Sequence, residues 1–299
     1  MNNLQRFRPI AFQLFQCGLN LTKTLRNRKL LFPKPLIQGY KYAFMTITSM
    51  AFLWPITKSN KTSQENQVQK LPSIVENADQ LFDNGSYEEC YQVLNDYEDQ
   101  NNVEIQWRKV RVLYNMSKES KYETTYKKEL VYLAYDIIVK LIDTNNDHYA
   151  VHKWYALLLD AKSTYEGIKE KIKQLENVKK HMDLAVTINP NDATCLYMLG
   201  EWCYQVSEMP WHQRRIAEIL FASPPHSTYE DALEYFLRAE TAQPRFYSLN
   251  LLRLGNCYIK LEREDLAKYY LKLAASYPAK SNDDHLANKE AAELLKKIC

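Results

Sequence analysis

Two stretches of this chain repeat one apolar template, and that repetition narrows the possible folds more than any other feature. The first stretch runs Leu196, Leu199, Gly200 and Cys203, then Ala232, Phe236, Ala239 and Pro244 after a gap. The second runs Leu251, Leu254, Gly255, Tyr258, Ala267, Leu271 and Ala274. The offsets of the second are those of a helix–turn–helix unit of ~34 residues. A lone helix pair cannot bury its own apolar stripe, so such units must stack. Only six glycines occur in 299 residues, too few for a turn-rich β fold. A mid-helix Gly costs ~1 kcal/mol against Ala, so Gly200 and Gly255 at one phase point to a packing need.

With the Gly of Leu-Gly as position 8, degraded copies run back along the chain. Ala78, Leu81 and Cys90 mark the first, with Gly85 in its turn. Trp107, Val110, Arg111 and Tyr114 start a second, whose partner helix is expected over about 129–143. Trp154, Leu157, Leu158 and Ala161 start a third, which closes at Met182, Ala185 and Asn189-Pro190. Position 8 thus falls at 78, 111, 158, 200 and 255. The excess over ~34 residues is expected around 163–176 and 205–228. Pro190 cannot continue a helix, and Asn or Asp after it can cap the next. Ser227 with Glu230 predicts a capping box ahead of 229–239, and about 284–298 predicts a closing helix. The expected architecture is all-α: a tetratricopeptide-like superhelix of about five antiparallel helix pairs over 72–299, with insertions in the middle repeats and a C-terminal cap helix.

Charge divides the chain. Of its 39 Lys and Arg, ten precede the first acidic residue, Glu65, which leaves 29 against 36 Asp and Glu in the remainder. An acidic body argues against a general nucleic-acid binder. Residues 1–66 read as a basic leader, acid-free up to Glu65. Phe7, Ile10, Ala11, Leu14 and Phe15 make one helical stripe, which points to a mitochondrial targeting segment; a solvated basic tail is the alternative. The uncharged run 42–56 is shorter than the ~17–25 residues of a membrane span and leaves a short anchor open. Residues 57–71 read as a solvated linker. Six scattered Cys without a CxxC pair suit small buried hydrophobes in a reducing compartment. His148 and His152 share a helix face, but no third metal ligand follows at a suitable spacing. Neither a nucleophile elbow nor a phosphate loop is present. The reading is a non-enzymatic scaffold with no cofactor.

Residues 198–240 read MLGEWCYQVSEMPWHQRRIAEILFASPPHSTYEDALEYFLRAE. With INPNDAT at 188–194, FYSLNLLRLGNCYIKL at 246–261 and YPA at 277–279, this closely resembles the regulator of microtubule dynamics family. The resemblance covers about 75–295. It implies a helical-repeat fold and association with microtubules or tubulin, spindle and spindle poles, and for some members mitochondria. One relative tethers the outer mitochondrial membrane to the endoplasmic reticulum. The alternative function is a mitochondrial membrane-associated tether or lipid-holding contact-site protein, with residues 42–56 as its anchor.

Two surfaces are candidates for partner binding. One is the insertion itself, where Met209-Pro210-Trp211 ends one helix and starts another. Trp211 is expected to pack under the insertion, and Arg214 and Arg215 to meet an acidic partner surface or to pair internally with Glu208 or Glu218. The other is the inner face of the array, set by first-helix positions 2, 5, 9 and 12. The register places Arg108, Tyr155, Lys162, Tyr197, Glu201, Tyr204, Leu252 and Asn256 there. Tyr and Arg on a concave face suit capture of a peptide or helix; occupation by the chain's own C-terminal helix is the alternative.

Overall fold

In the computed structural model, backbone is described for residues 59–298 and side chains for 71–298. The apolar stripe at 7–15 and the uncharged run at 42–56 lie outside the described residues. Twelve helices occur among the described residues, and no strand. They are α1 (Ser59–Asp83), α2 (Tyr87–Asn95), α3 (Val103–Met116), α4 (Thr124–Ile142), α5 (Tyr149–Glu166), α6 (Ile168–Ile188), α7 (Ala193–Ser207), α8 (Trp211–Leu220), α9 (Tyr229–Ala242), α10 (Ser248–Lys260), α11 (Glu264–Ala275) and α12 (Asn282–Ile298). The pairs α1/α2, α3/α4, α5/α6, α7/α9 and α10/α11 pack antiparallel and stack in chain order, with α12 against α10 and α11. The expected linker at 57–71 is corrected: from Ser59 onward it is helical and continuous with the first repeat.

Burial follows the nearest-neighbour logic of stacked repeats. The core is three linked clusters rather than one centre. Ala78, Cys90, Ile105, Val110 and Leu158 belong to the first. Leu159, Met182, Leu199, Phe236 and Leu254 belong to the second. Leu251, Leu271 and Ala291 belong to the third. Helix α5 feeds the first two clusters, and α10 feeds the last two with different faces. A first helix wedged between its own partner and the next repeat must be apolar nearly all round, and α10 is buried from Ser248 to Tyr258 apart from Leu249.

The two phase-matched glycines mark the closest approaches. A Cβ on Gly200 would lie 2.6 Å from the Phe236 ring, and one on Gly255 would lie 2.6 Å from Leu271. Ala232 and Ala267 are fully buried beside them. Fully burying a side chain the size of Phe236 contributes about 2–3 kcal/mol, so this contact anchors α9 on α7.

Extra residues in the long repeats are accommodated in two ways. In the third repeat the surplus expected around 163–176 is not looped out; it lengthens α5 and α6, which meet at Gly167 with φ +104°. That left-handed backbone lets one residue end a helix and start the next. In the fourth repeat the surplus forms α8, which packs against α6 of the preceding repeat.

Asp192 caps α7, its carboxylate accepting from the Cys195 N–H at 2.8 Å. The capping box expected from Ser227 and Glu230 sits one residue later. Thr228 Oγ1 accepts from the Asp231 N–H at 3.1 Å and Asp231 accepts from the Thr228 N–H at 2.9 Å. Ser227 is buried and donates to Asp231 instead. At the C-terminal end, Asp284 accepts from Ser248 Oγ at 2.5 Å and from the Ser281 N–H at 2.9 Å, which ties α12 to α10.

Candidate partner-binding surface

The expected inner face is largely consumed by the protein itself. Arg108 is buried and grips Asp79 through Nε at 3.0 Å and Nη2 at 2.9 Å, while Nη1 donates to Glu104 at 2.6 Å. Its guanidinium lies 4.2 Å from the Trp107 ring centroid. Burial pushes the Asp79 carboxyl up, but the Arg108 and Arg111 hydrogen bonds outweigh it and hold it below the usual carboxylate range. Arg108 thus forms an internal clamp between α1 and α3.

The same holds at the α7/α10 seam. Glu201 receives Arg253 Nε at 2.6 Å and Nη2 at 2.8 Å, and Gln205 donates to it at 3.0 Å. Burial opposes the Glu201 charge, yet the adjacent Arg253 keeps the carboxyl below its ordinary value. Arg253 also stacks over Tyr204, 4.7 Å from the ring centroid. Lys260 donates to Glu208 at 2.7 Å, so a second ion pair closes the seam further along. Asn256 is buried, with Glu290 of α12 close enough to feel it, and Leu252 is buried within the third cluster. The C-terminal helix α12 packs against this end of α10. The three remaining expected residues are half-buried, as Glu201 is: Tyr155 beside His181 at 4.5 Å, Lys162 on Glu166 at 2.5 Å, and Tyr197 edge-on to Tyr247 at 5.1 Å. Sequence reading missed Arg253, because its partner lies 52 residues away with no local spacing to announce it.

Helix α8 is the opposite case. Gln213 and Ala217 are buried and Ile216 and Leu220 half-buried, so one face is seated on the array. The other face is open. Trp211 is 78% exposed and Ile219 84% exposed. The expectation that Trp211 packs under the insertion is corrected: the helical phase that buries Gln213 and Ala217 puts the indole on the opposite face. Arg215 sits between them on the same stripe, its side chain 75% exposed and paired at 3.0 Å with Glu218. Arg214 flanks the stripe, half-buried. Ile219 was not singled out from sequence, although Trp211, Arg215 and Ile219 at i, i+4 and i+8 carry the signal. A shallow cavity of about 500 Å³ lies beyond, lined by Lys179, Lys180, Trp202, Pro225 and His226 among others.

No group of three or more His, Cys, Asp or Glu side chains converges on a metal position among the described residues. His148 bonds Glu104 at 2.9 Å, whereas His152 bonds His181 through their Nδ1 atoms at 2.9 Å, so the two helix-face histidines diverge. Burial, then the neighbouring His152, pushes the His181 imidazole down to about 4. Cys90, Cys195, Cys203 and Cys257 are buried free thiols. Among the described residues, no helix is long and apolar enough to cross a membrane.

Comparison with known proteins agrees with this architecture. A solved thermophilic TPR protein from Thermus thermophilus superposes with a TM-score of 0.54 over 74% of this chain and 98% of its own, at 14% identity, a likeness of fold alone. Regulator of microtubule dynamics protein 1 of Pongo abelii is 44% identical over 226 residues, 76% of this chain and 72% of the relative. The Homo sapiens protein of the same name is 46% identical over 189 residues, 63% of this chain and 60% of its own length. Residues 74–299 match the family described as Regulator of microtubule dynamics protein 1-3. The chain is thus a tetratricopeptide-like repeat protein that belongs to the regulator of microtubule dynamics family.

Proposed function

We propose that this protein binds microtubules directly, as a non-enzymatic scaffold, and that α8 is the contact. The observation that carries the reading is the open stripe Trp211–Arg215–Ile219, flanked by Arg214, on a helix whose other face is seated on the array. Large apolar side chains left outside a rigid fold mark interaction sites. Aromatic and Arg residues are the usual energetic anchors of such sites. The remainder of the chain after the leader is acidic, so a basic stripe there is a local exception that suits an acidic partner surface. The inner-face candidates contribute rigidity instead, since Arg108, Glu201, Tyr204 and Asn256 are engaged within the chain. The basic leader 1–66 would serve as a mitochondrial address.

Microtubule co-sedimentation of purified full-length chain tests the contact. The double variant Arg214→Glu/Arg215→Glu, shown folded by its melting transition, is expected to bind about tenfold more weakly or worse. Unchanged affinity would dispose of α8 as the contact. Imaging of full-length and 1–66-deleted chain beside mitochondrial and tubulin markers tests the leader; a mitochondrial pattern that survives the deletion would reject it as the address.

A further inference from the structure

The loop that follows α8 carries a feature that the microtubule reading does not use. Of eleven prolines in 299 residues, Pro224 alone follows a Ser or Thr, so Ser223-Pro224 is the single Ser/Thr-Pro step of the sequence. Ser223 is exposed and lies in the non-helical segment 221–228, three residues past the last residue of α8. Helix α8 ends with the Phe221 N–H on the Ala217 carbonyl, and Phe221 itself is extended, at φ −120° and ψ 139°. A residue before proline is held out of the helical region, and Pro225 continues the constraint. The neighbouring hydroxyls are spoken for: Ser227 is buried on Asp231, and Thr228 caps α9.

We propose that Ser223 is a phosphorylation site for a proline-directed Ser/Thr kinase and that its phosphate switches off the α8 contact. This rests on the α8 reading above. In the transfer, the Oγ–P bond forms to the γ-phosphorus of ATP as the bond to the β-phosphate oxygen breaks. ADP leaves, and the hydroxyl proton passes to the kinase's base.

Charge decides the effect. Between Met209 and His226 the charged side chains are Arg214, Arg215 and Glu218, one net positive charge. A phosphoserine adds about −1.5 to −2 at neutral pH, which reverses the sign of the segment. The phosphate also falls just beyond the C-terminus of α8, where the helix dipole is negative and the last turn holds no basic residue. The lysines that share a cavity with Pro225 and His226 do not cancel it. Lys179 is held by Asp183 at 2.7 Å, and Glu176 and Asp183 balance Lys179 and Lys180 around the rim. An acidic partner surface therefore meets repulsion where it met attraction.

The test uses purified full-length chain, a proline-directed kinase and ATP, with peptide mapping by mass spectrometry and microtubule co-sedimentation before and after. The expected result is one phosphate on Ser223, absent from Ser223→Ala, and about three- to tenfold weaker sedimentation of the phosphorylated protein. Ser223→Ala treated identically should sediment as the untreated chain does. No phosphate on Ser223 overturns the site. Phosphate on Ser223 with unchanged sedimentation overturns the switch, whatever the Arg214→Glu/Arg215→Glu variant does. If unphosphorylated chain does not sediment with microtubules at all, the microtubule reading fails and the switch falls with it, and the peptide map alone then decides the site.

Discussion

The α7/α10 seam and helix α8 carry the same kinds of residue to opposite ends. At the seam, Arg253 is buried, bidentate on Glu201 and stacked on Tyr204. On α8, Arg215 stands in solvent beside an exposed Trp211 and holds Glu218 by one surface ion pair. A buried pair whose charges have lost their water is strongly destabilised when one partner goes, whereas an exposed pair is worth little. The seam therefore bears on whether the array stands, and α8 leaves its arginine and indole in solvent, where the proposed contact needs them. An Arg beside an aromatic says nothing about its role until its burial is known.

The sharpest way to break this contrast is to remove one arginine from each side. Arg253→Ala strands Glu201 and is expected to cost about 3–5 kcal/mol in denaturant unfolding. Arg215→Ala should stay within about 0.5 kcal/mol. The pair variant Glu201→Gln/Arg253→Met should recover much of the loss; equal effects at the two arginines would end the comparison.

Next in size is Gly200→Ala. The new methyl meets a ring in a filled core, an overpacking cost of about 1–3 kcal/mol, offset by the ~1 kcal/mol helix preference of Ala. A net loss of up to about 2 kcal/mol is expected by thermal unfolding. His212→Ala on the open side of α8 gains the same kind of helix preference with nothing to collide with, and should be neutral or better.

A third test uses pH. His181 titrates at about 4 in the fold against about 6.5 unfolded. Between these values the unfolded chain binds more protons, so the contribution is complete above pH ~6.5 and falls as pH drops toward ~4. The imidazole is only half-buried, so a loss of about 2 kcal/mol is expected, read from urea midpoints, and His181→Gln should flatten that slope. Trp211→Ala, like Arg215→Ala, should change stability by no more than about 0.5 kcal/mol, with microtubule co-sedimentation nonetheless weakened about tenfold. A large loss of stability instead would show the indole to be structural.

Much of the array is legible in the sequence because it rests on local periodicity. Ala78, Cys90, Ala232, Ala267 and both Leu-Gly glycines fall at buried positions because a 3.6-residue period places them there in any stack of such helices. The candidate surface is less legible. The register puts Glu201 and Asn256 on the inner face, yet their exposure depends on Arg253 and Glu290, which arrive from later elements. Trp211 departs from expectation because a large aromatic is more often core than surface, whereas the phase of α8 seats Gln213 and Ala217 and leaves the indole opposite. The capping box slips by one residue because Ser227 and Thr228 are both good caps; the seating of α9 chooses between them.

The sequence by itself determined the all-α class and the phase of the helices, which depend on spacings within one or two helical turns, and the family, which rests on the residue identities between 188 and 279. Only the tertiary structure decided which charged and aromatic groups are free to meet a partner. That depends on desolvation by residues tens of positions away, and local periodicity holds no record of it.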